Sequence, residues 1–170
     1  LLDDVSTLPL TATFHALCWA LLREESPESP FRIIDEEERL FLLQRTMRRL
    51  GCNENAVHLK PRVLLARMVD AKQQLKGPDA FFESVVADTA TSVFARSYTA
   101  YQKLLADQHL LDFEDLIFRV VRRLETDHDF RNTCRKRFRY VFVDEYQDLN
   151  YGQYRLIRAL VPTTGNLCVI

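Results

Sequence analysis

Residues 138–143 read FRYVFV and run straight into Asp144 and Glu145. An almost unbroken apolar run of β-branched and aromatic residues suits a buried strand of a parallel sheet. In open α/β sheets, ligands sit beyond the carboxyl ends of the strands. Two adjacent carboxylates at that point can divide a task. One can hold Mg²⁺, directly or through water, and the other can orient and deprotonate an attacking water. Asp148 adds a third carboxylate within five residues, with Gln147 between. A strand that merely ends in a charged turn is the alternative without function.

The rest of the chain reads as helices around this strand. Apolar residues at 14, 17, 18, 21 and 22 form one helical face, after a short β-prone stretch over 8–13. Residues 26–30 carry two prolines and two serines and stop that helix. Residues 35–38, DEEE, suit the positive end of a helix that reaches Leu50 and stops at Gly51. Pro61 fits the first turn of another helix through about Lys76, closed by Gly77 and Pro78. A helical pattern over 79–108 follows. Its expected core is Phe81, Phe82, Val85, Val86, Val93, Phe94, Tyr101, Leu104 and Leu105, with a bend or break at 89–92. Asp112 has the character of an N-cap before an amphipathic stripe of Phe113, Leu116, Ile117, Val120, Val121 and Leu124. A last helix over about 152–160, a turn over 162–166 and a final strand complete the pattern. The order implies an α/β fold, mostly helical, with a partial parallel sheet and a helical insertion.

Composition excludes some functions. The 170 residues include 23 basic and 24 acidic side chains, so only local patches can argue for nucleic acid. No apolar run approaches the roughly 20 residues needed to span a bilayer, and no basic-then-apolar leader opens the chain. Cys18, Cys52, Cys134 and Cys168 are far apart, without metal-ligand spacing, and read as buried reduced thiols of a cytoplasmic protein. None of the four glycines begins GxxxxGK[ST] or GxGxxG. A nucleotide site would therefore need parts from elsewhere. The start on Leu1 and the finish in an apolar run lead us to expect a piece of a longer protein.

The carboxylate pair after a strand is the Walker-B arrangement of phosphate-cleaving machines. Residues 143–148, VDEYQD, resemble motif II of the UvrD/Rep-type superfamily 1 DNA helicases. Residues 13–16, TFHA, resemble that family's TFH motif, and 111–116, LDFEDL, its (V/L)DF-x-(D/E)L segment. Asn150 and Gln153 also fit the pattern after motif II. The three motifs occur in the family's order, and the resemblance covers about 11–170.

The resemblance implies a partial P-loop (RecA-like) motor domain 1A over 1–27 and 109–170, with the helical 1B insertion over 28–108. It implies ATP and Mg²⁺ as cofactors, and single-stranded DNA, a duplex junction and the rest of the parent chain as partners, with no membrane. Asp144 matches the Mg²⁺ ligand and Glu145 the base that activates water. Gln147 and Asp148 match positions coupling the nucleotide site to neighbouring motifs. Thr13, Phe14 and His15 match a segment near the single-stranded DNA path, although Phe14 equally suits core packing. The phosphate-binding loop and the later motifs are missing from this sequence, so the piece alone is expected to be inactive. The function so implied is ATP-driven stepping of the parent along single-stranded DNA, in repair or replication.

Two rivals stand beside it. One is a helicase-like DNA-binding scaffold without ATPase activity. The other is a metal-dependent nuclease using Asp144, Glu145 and Asp148, which lacks evident further carboxylates. In the middle of the chain, Arg45, Arg48, Arg49, Lys60, Arg62, Arg67, Lys72 and Lys76 offer phosphate contacts, but interspersed acids favour ordinary solvated helix faces. The denser group Arg131, Arg135, Lys136, Arg137 and Arg139 could equally pair within the motor domain.

Overall fold

The computed structural model describes residues 9–25, 31–52, 60–81 and 89–170. The elements are α1 (Phe14–Glu25), β1 (Arg32–Ile33), α2 (Glu36–Arg49), α3 (Pro61–Gln73), α4 (Thr89–Asp107), β2 (Leu110–Leu111), α5 (Phe113–Thr126), α6 (His128–Arg137), β3 (Tyr140–Val143), α7 (Tyr151–Leu160) and β4 (Asn166–Val169). Short 3₁₀ turns occupy Pro78–Phe81 and Tyr146–Asp148. The chain is thus a mostly helical α/β structure with small parallel sheets.

Local chemistry sets the helix ends. The Thr13 hydroxyl accepts from the Ala16 N–H at 3.2 Å and opens α1. Asp35 accepts from the Glu38 N–H at 2.8 Å and opens α2, whose first turn is acidic and whose last carries Arg48 and Arg49. Both ends therefore complement the helix dipole. Gly51, at φ +67°, supplies the left-handed turn that closes α2. Pro61 occupies the first turn of α3. Asp112 and Asp115 form a reciprocal capping box at the start of α5.

The strands form two parallel pairs. β1 pairs with β2, Arg32 opposite Leu110 and Ile33 opposite Leu111. β3 pairs with β4, from Tyr140 opposite Asn166 to Val143 opposite Val169. Two apolar cores result. One gathers α1, α5, α6 and α7 around Leu21, Val120, Leu124, Val143, Leu156 and Leu160. The other gathers α2, α3 and α4 around Leu43, Met47, Leu64, Met68, Phe94 and Tyr101.

The first turn of α5 joins them. Lys72 of α3 places its Nζ 2.5 Å from Asp112 Oδ2 and 2.8 Å from Asp115 Oδ1, and these side chains are at most 1% exposed. From α4, the Tyr101 hydroxyl donates to Asp112 at 3.3 Å and the Gln102 amide to Asp115 at 3.1 Å. From α2, Arg39 pairs with Glu114 at 2.9 Å. Burial pushes the Asp112 carboxyl up against the pull of Lys72. Asp115 is equally buried, but the Lys72 ammonium and hydrogen bond bring its carboxyl below the ordinary value. Burial, helped by the charge of Asp112, raises Tyr101 and keeps its phenol a donor.

Several expectations need correction. Residues 9–13 form no strand; Thr13 is spent on the helix cap, and Leu10 is 60% exposed with no strand beside it. β3 is buried on one face only: Val141 and Val143 pack on the first core, whereas Tyr140 is 66% and Phe142 75% exposed on the other face. α3 ends at Gln73, where the Gln74 N–H returns to the Asp70 carbonyl, rather than at Lys76. The pattern over 79–108 is not one helix. Pro78 starts a 3₁₀ turn, and α4 begins at Thr89, in the stretch where a bend or break was expected. Phe82, Val85 and Val86 lie outside the described residues, as does the linker over 26–30. Val93 is only partly buried. Phe113 lies at the solvent edge of the α5 stripe, 47% exposed. Cys18 and Cys134 are buried, but Cys52 is only partly so and Cys168 is exposed on β4.

Two outcomes follow from this packing. Lys72→Ala strands two buried carboxylates and should cost about 3–5 kcal/mol in urea denaturation of the 170-residue chain. The exposed Lys60→Ala should stay within about 0.5 kcal/mol. Burial pushes the Cys18 thiol up to about 12; a thiol reagent at neutral pH should therefore modify Cys168 in the folded chain and Cys18 only after unfolding.

Candidate functional site

β3 delivers its carboxylates at its carboxyl end. Val143 is 6% exposed and anchors the strand. Its carbonyl accepts from the Ile170 N–H at 3.0 Å, and the Ile170 carbonyl accepts from the Tyr146 N–H at 3.0 Å. These bonds clamp the chain on both sides of Asp144 and Glu145. Both of those side chains are exposed.

Between the clamps the backbone turns sharply. Glu145 sits in the left-handed region at φ 53°, ψ 43°, a conformation that costs a non-glycine residue about 1–3 kcal/mol. Local bonds hold it there. The Glu145 N–H donates to Asp144 Oδ1 at 3.0 Å. The Asp148 N–H donates to the Glu145 carbonyl at 2.9 Å. The Gln147 amide donates to Glu145 Oε2 at 2.5 Å, fixing the orientation of that carboxylate. Gln147 is thus joined directly to Glu145. Asp148 contributes through its backbone, and its carboxylate is exposed.

The helix after the turn is locked in turn. Asn150 accepts from the Gln153 N–H at 3.0 Å, and Gln153 Oε1 accepts from the Asn150 N–H at 3.0 Å, a second capping box. This gives both residues a structural reason to be what they are. One turn on, α7 meets α3: a Cβ on Gly152 would lie 3.1 Å from the Gln73 carbonyl oxygen and 3.5 Å from Ile117. The close approach of these two helices favours a glycine there.

The donor set suits a magnesium ion shared with a phosphate ligand. Such an ion takes one or two protein carboxylates and fills its remaining positions with water and phosphate oxygens. Asp144 and Glu145 are two adjacent exposed carboxylates. Among the described residues no group of three His, Cys, Asp or Glu side chains forms a complete protein cage.

The amino-terminal candidates lie around another hollow. Thr13 is exposed and caps α1. Phe14 is half-buried and packs on the first core. His15 stacks flat on Phe113, with ring centroids 3.7 Å apart and planes 17° apart. Burial lowers the His15 pKa and favours the neutral imidazole. Both rings line a cavity of about 150 Å³ with Gln73, Glu114, Asn150 and Gly152. Asp144 and Glu145 are not part of that lining; Asn150, just beyond the acidic turn, is.

The basic residues sort differently from expectation. Lys72 is buried in the ion cluster and is removed as a phosphate contact. Arg45, Arg48, Arg49, Lys60, Arg62, Arg67 and Lys76 are exposed, and Arg67 lies over the Phe94 ring at 4.2 Å. The later arginines serve the fold: Arg137 pairs with Glu24 at 2.7 Å, Arg135 Nε donates to the Ala159 carbonyl at 2.9 Å, and Arg131 donates to the Leu124 carbonyl at 3.0 Å. Phe113, read from the sequence as part of the LDFEDL segment and of the apolar stripe, stands at the cavity against His15, a placement that pattern reading missed. Its signal was its position directly after the helix cap, where a side chain is not obliged to face the core.

Comparison with known proteins bears on this arrangement. Residues 5–170 match the UvrD/REP helicase N-terminal domain. The chain is 30% identical over 176 residues to an ATP-dependent DNA helicase PcrA of Staphylococcus aureus, covering all of this chain and 23% of that protein. It is 29% identical over 163 residues to an ATP-dependent DNA helicase PcrA of Staphylococcus epidermidis, covering 94% of this chain and 22% of that protein. The chain therefore spans about a quarter of the length of these curated relatives.

The second capping box gives a direct test. Asn150→Ala should lower stability by about 1 kcal/mol in chemical denaturation, and Asn150→Asp should retain most of it.

Proposed function

Because the chain belongs to the UvrD/REP helicase N-terminal domain family, we propose that it is part of the motor of an ATP-dependent DNA helicase, with the carboxylate turn after β3 as one wall of its ATP site. The observation that carries this reading is the left-handed Glu145, with its carboxylate held by Gln147 beside Asp144. Leu75 and His109 share its positive φ; what distinguishes Glu145 is its place just after a strand, with its carboxylate held beside a second one.

In this reading Asp144 holds Mg²⁺, which when bound neutralises charge on the phosphates. Glu145 takes a proton from the attacking water and aims it. Gln147 keeps the Glu145 carboxylate in one orientation, so the base need not reorganise as it acts. Asp148 couples this turn to neighbouring parts of the site. Thr13, Phe14 and His15 lie along the path of single-stranded DNA, with His15 presenting its ring edge. Residues 1–27 and 109–170 belong to the motor domain, and 28–108 form an insertion near the duplex junction. The two separate apolar cores support that division. The side-by-side pairing of β1 and β2 near both of its boundaries supports it too.

The sequence contains no glycine-rich phosphate loop, so we expect the 170-residue piece to be inactive alone and to work within its parent. No helix among the described residues is long and apolar enough to cross a membrane, in keeping with a cytoplasmic role in DNA repair or replication.

The test uses the full-length parent. Glu145→Gln keeps size and hydrogen bonding but removes the base. It should reduce DNA-stimulated ATP hydrolysis by about 10²–10⁴-fold and leave nucleotide binding in place. A wild-type parent without ATP hydrolysis would instead make this a DNA-binding scaffold.

A further inference from the structure

Phe113 is an unusual investment for a folding chain. It is a large aromatic residue, 47% exposed, at the first position of α5. Half of its apolar area returns no burial energy. Its backbone is among the most firmly held in the molecule. The preceding residue, Asp112, is fixed by Lys72 and by the capping box, and the following residue, Glu114, pairs with Arg39. What this fixed ring touches is His15, face to face at 3.7 Å.

A face-to-face stack acts on a histidine in a particular way. It restricts rotation of the imidazole about its Cβ–Cγ bond, because turning the ring would lose the stack. It leaves both ring nitrogens accessible, since they lie in the ring plane, at right angles to the stacking direction. The α1 backbone beneath His15 is itself set by the Thr13 cap. His15 therefore has a fixed base and a fixed plane. The neighbouring cavity is lined by polar groups of three further elements, among them Gln73, Glu114 and Asn150.

We propose that Phe113 is a positioning residue for His15, a rigid stacking face that holds the imidazole edge toward the nucleic acid strand. This rests on the reading of His15 as a DNA contact. Phe113 itself need not touch DNA. Its contribution is orientational: it removes, before binding, freedom that the imidazole would otherwise lose on contact. Burial favours the neutral ring, which carries one donor and one acceptor nitrogen and so rewards a defined orientation.

The test measures, in the full-length parent, the concentration of single-stranded oligonucleotide that half-saturates ATP hydrolysis, and separately the DNA-saturated rate. Phe113→Ala and Phe113→Leu should each raise the half-saturating concentration by up to about tenfold, the worth of one aromatic stack. The DNA-saturated rate should fall far less. Phe113→Tyr, which keeps the stacking face, should behave as wild type. In a double-mutant cycle, Phe113→Ala should add little to His15→Ala, because there is then no imidazole left to position. If Phe113→Leu matches wild type, bulk rather than stacking matters and the proposal fails. It also fails if the two substitutions add fully. If His15→Ala itself leaves the half-saturating concentration unchanged, the DNA-contact reading fails along with the proposal. A His15 effect without a Phe113 effect overturns the proposal alone.

Discussion

The contact of Lys72 with Asp112 and Asp115 holds this molecule together as one piece. Two apolar cores would otherwise meet through side-chain packing and the short β1–β2 pair. The ion cluster makes the first turn of α5 common to both. Lys72 comes from α3, Arg39 from α2, and Tyr101 and Gln102 from α4, so each of these helices sends a polar group into a single turn. Such a cluster adds little net stability over an apolar substitute. What it adds is register: Lys72 meets both aspartates at once, and a shifted helix would strand a buried charge.

That turn also meets the amino-terminal candidate residues. Phe113 lies between its two anchored aspartates and carries the His15 stack. Ile117, one turn further on, packs near Gly152 of α7, the helix that follows the acidic turn. The amino-terminal candidates, the insertion helices and the segment after Asp148 are therefore linked through one helix rather than through a chain of flexible loops. The acidic turn is more local in its construction. Its left-handed Glu145 is held by bonds from Asp144, Gln147 and Asp148, all within three residues.

Much of this was legible in the sequence. The helix cap at Asp112, the acidic first turn of α2, the glycine stop at Gly51 and the proline start at Pro61 are short-range signals, and short-range chemistry decides them. The strand ending in Asp144 and Glu145 was legible because its apolar run stops so abruptly. The exposure of that strand was not, because burial depends on neighbours that periodicity does not name. Lys72 reads like its solvated neighbours; nothing local says that its partners lie 40 positions away. Residues 9–13 misled for the converse reason: a β-prone composition makes a strand only where a partner strand is at hand. Phe113 fell within the apolar stripe by spacing alone, and only three dimensions show its ring turned to a histidine from another helix.

The pairing of β1 with β2 has a consequence for how such a chain can change over evolutionary time. The excursion through α2, α3 and α4 departs and returns along adjacent parallel strands, Arg32 beside Leu110. By its path it is a cassette, the kind of segment that lineages swap or trim without disturbing the host. By its electrostatics it is not. Removing it would leave Asp112 and Asp115 without their cation, and a replacement would have to bring a lysine to the same spot. Topology permits the exchange and charge forbids it, so cassette and host are bound to diverge together.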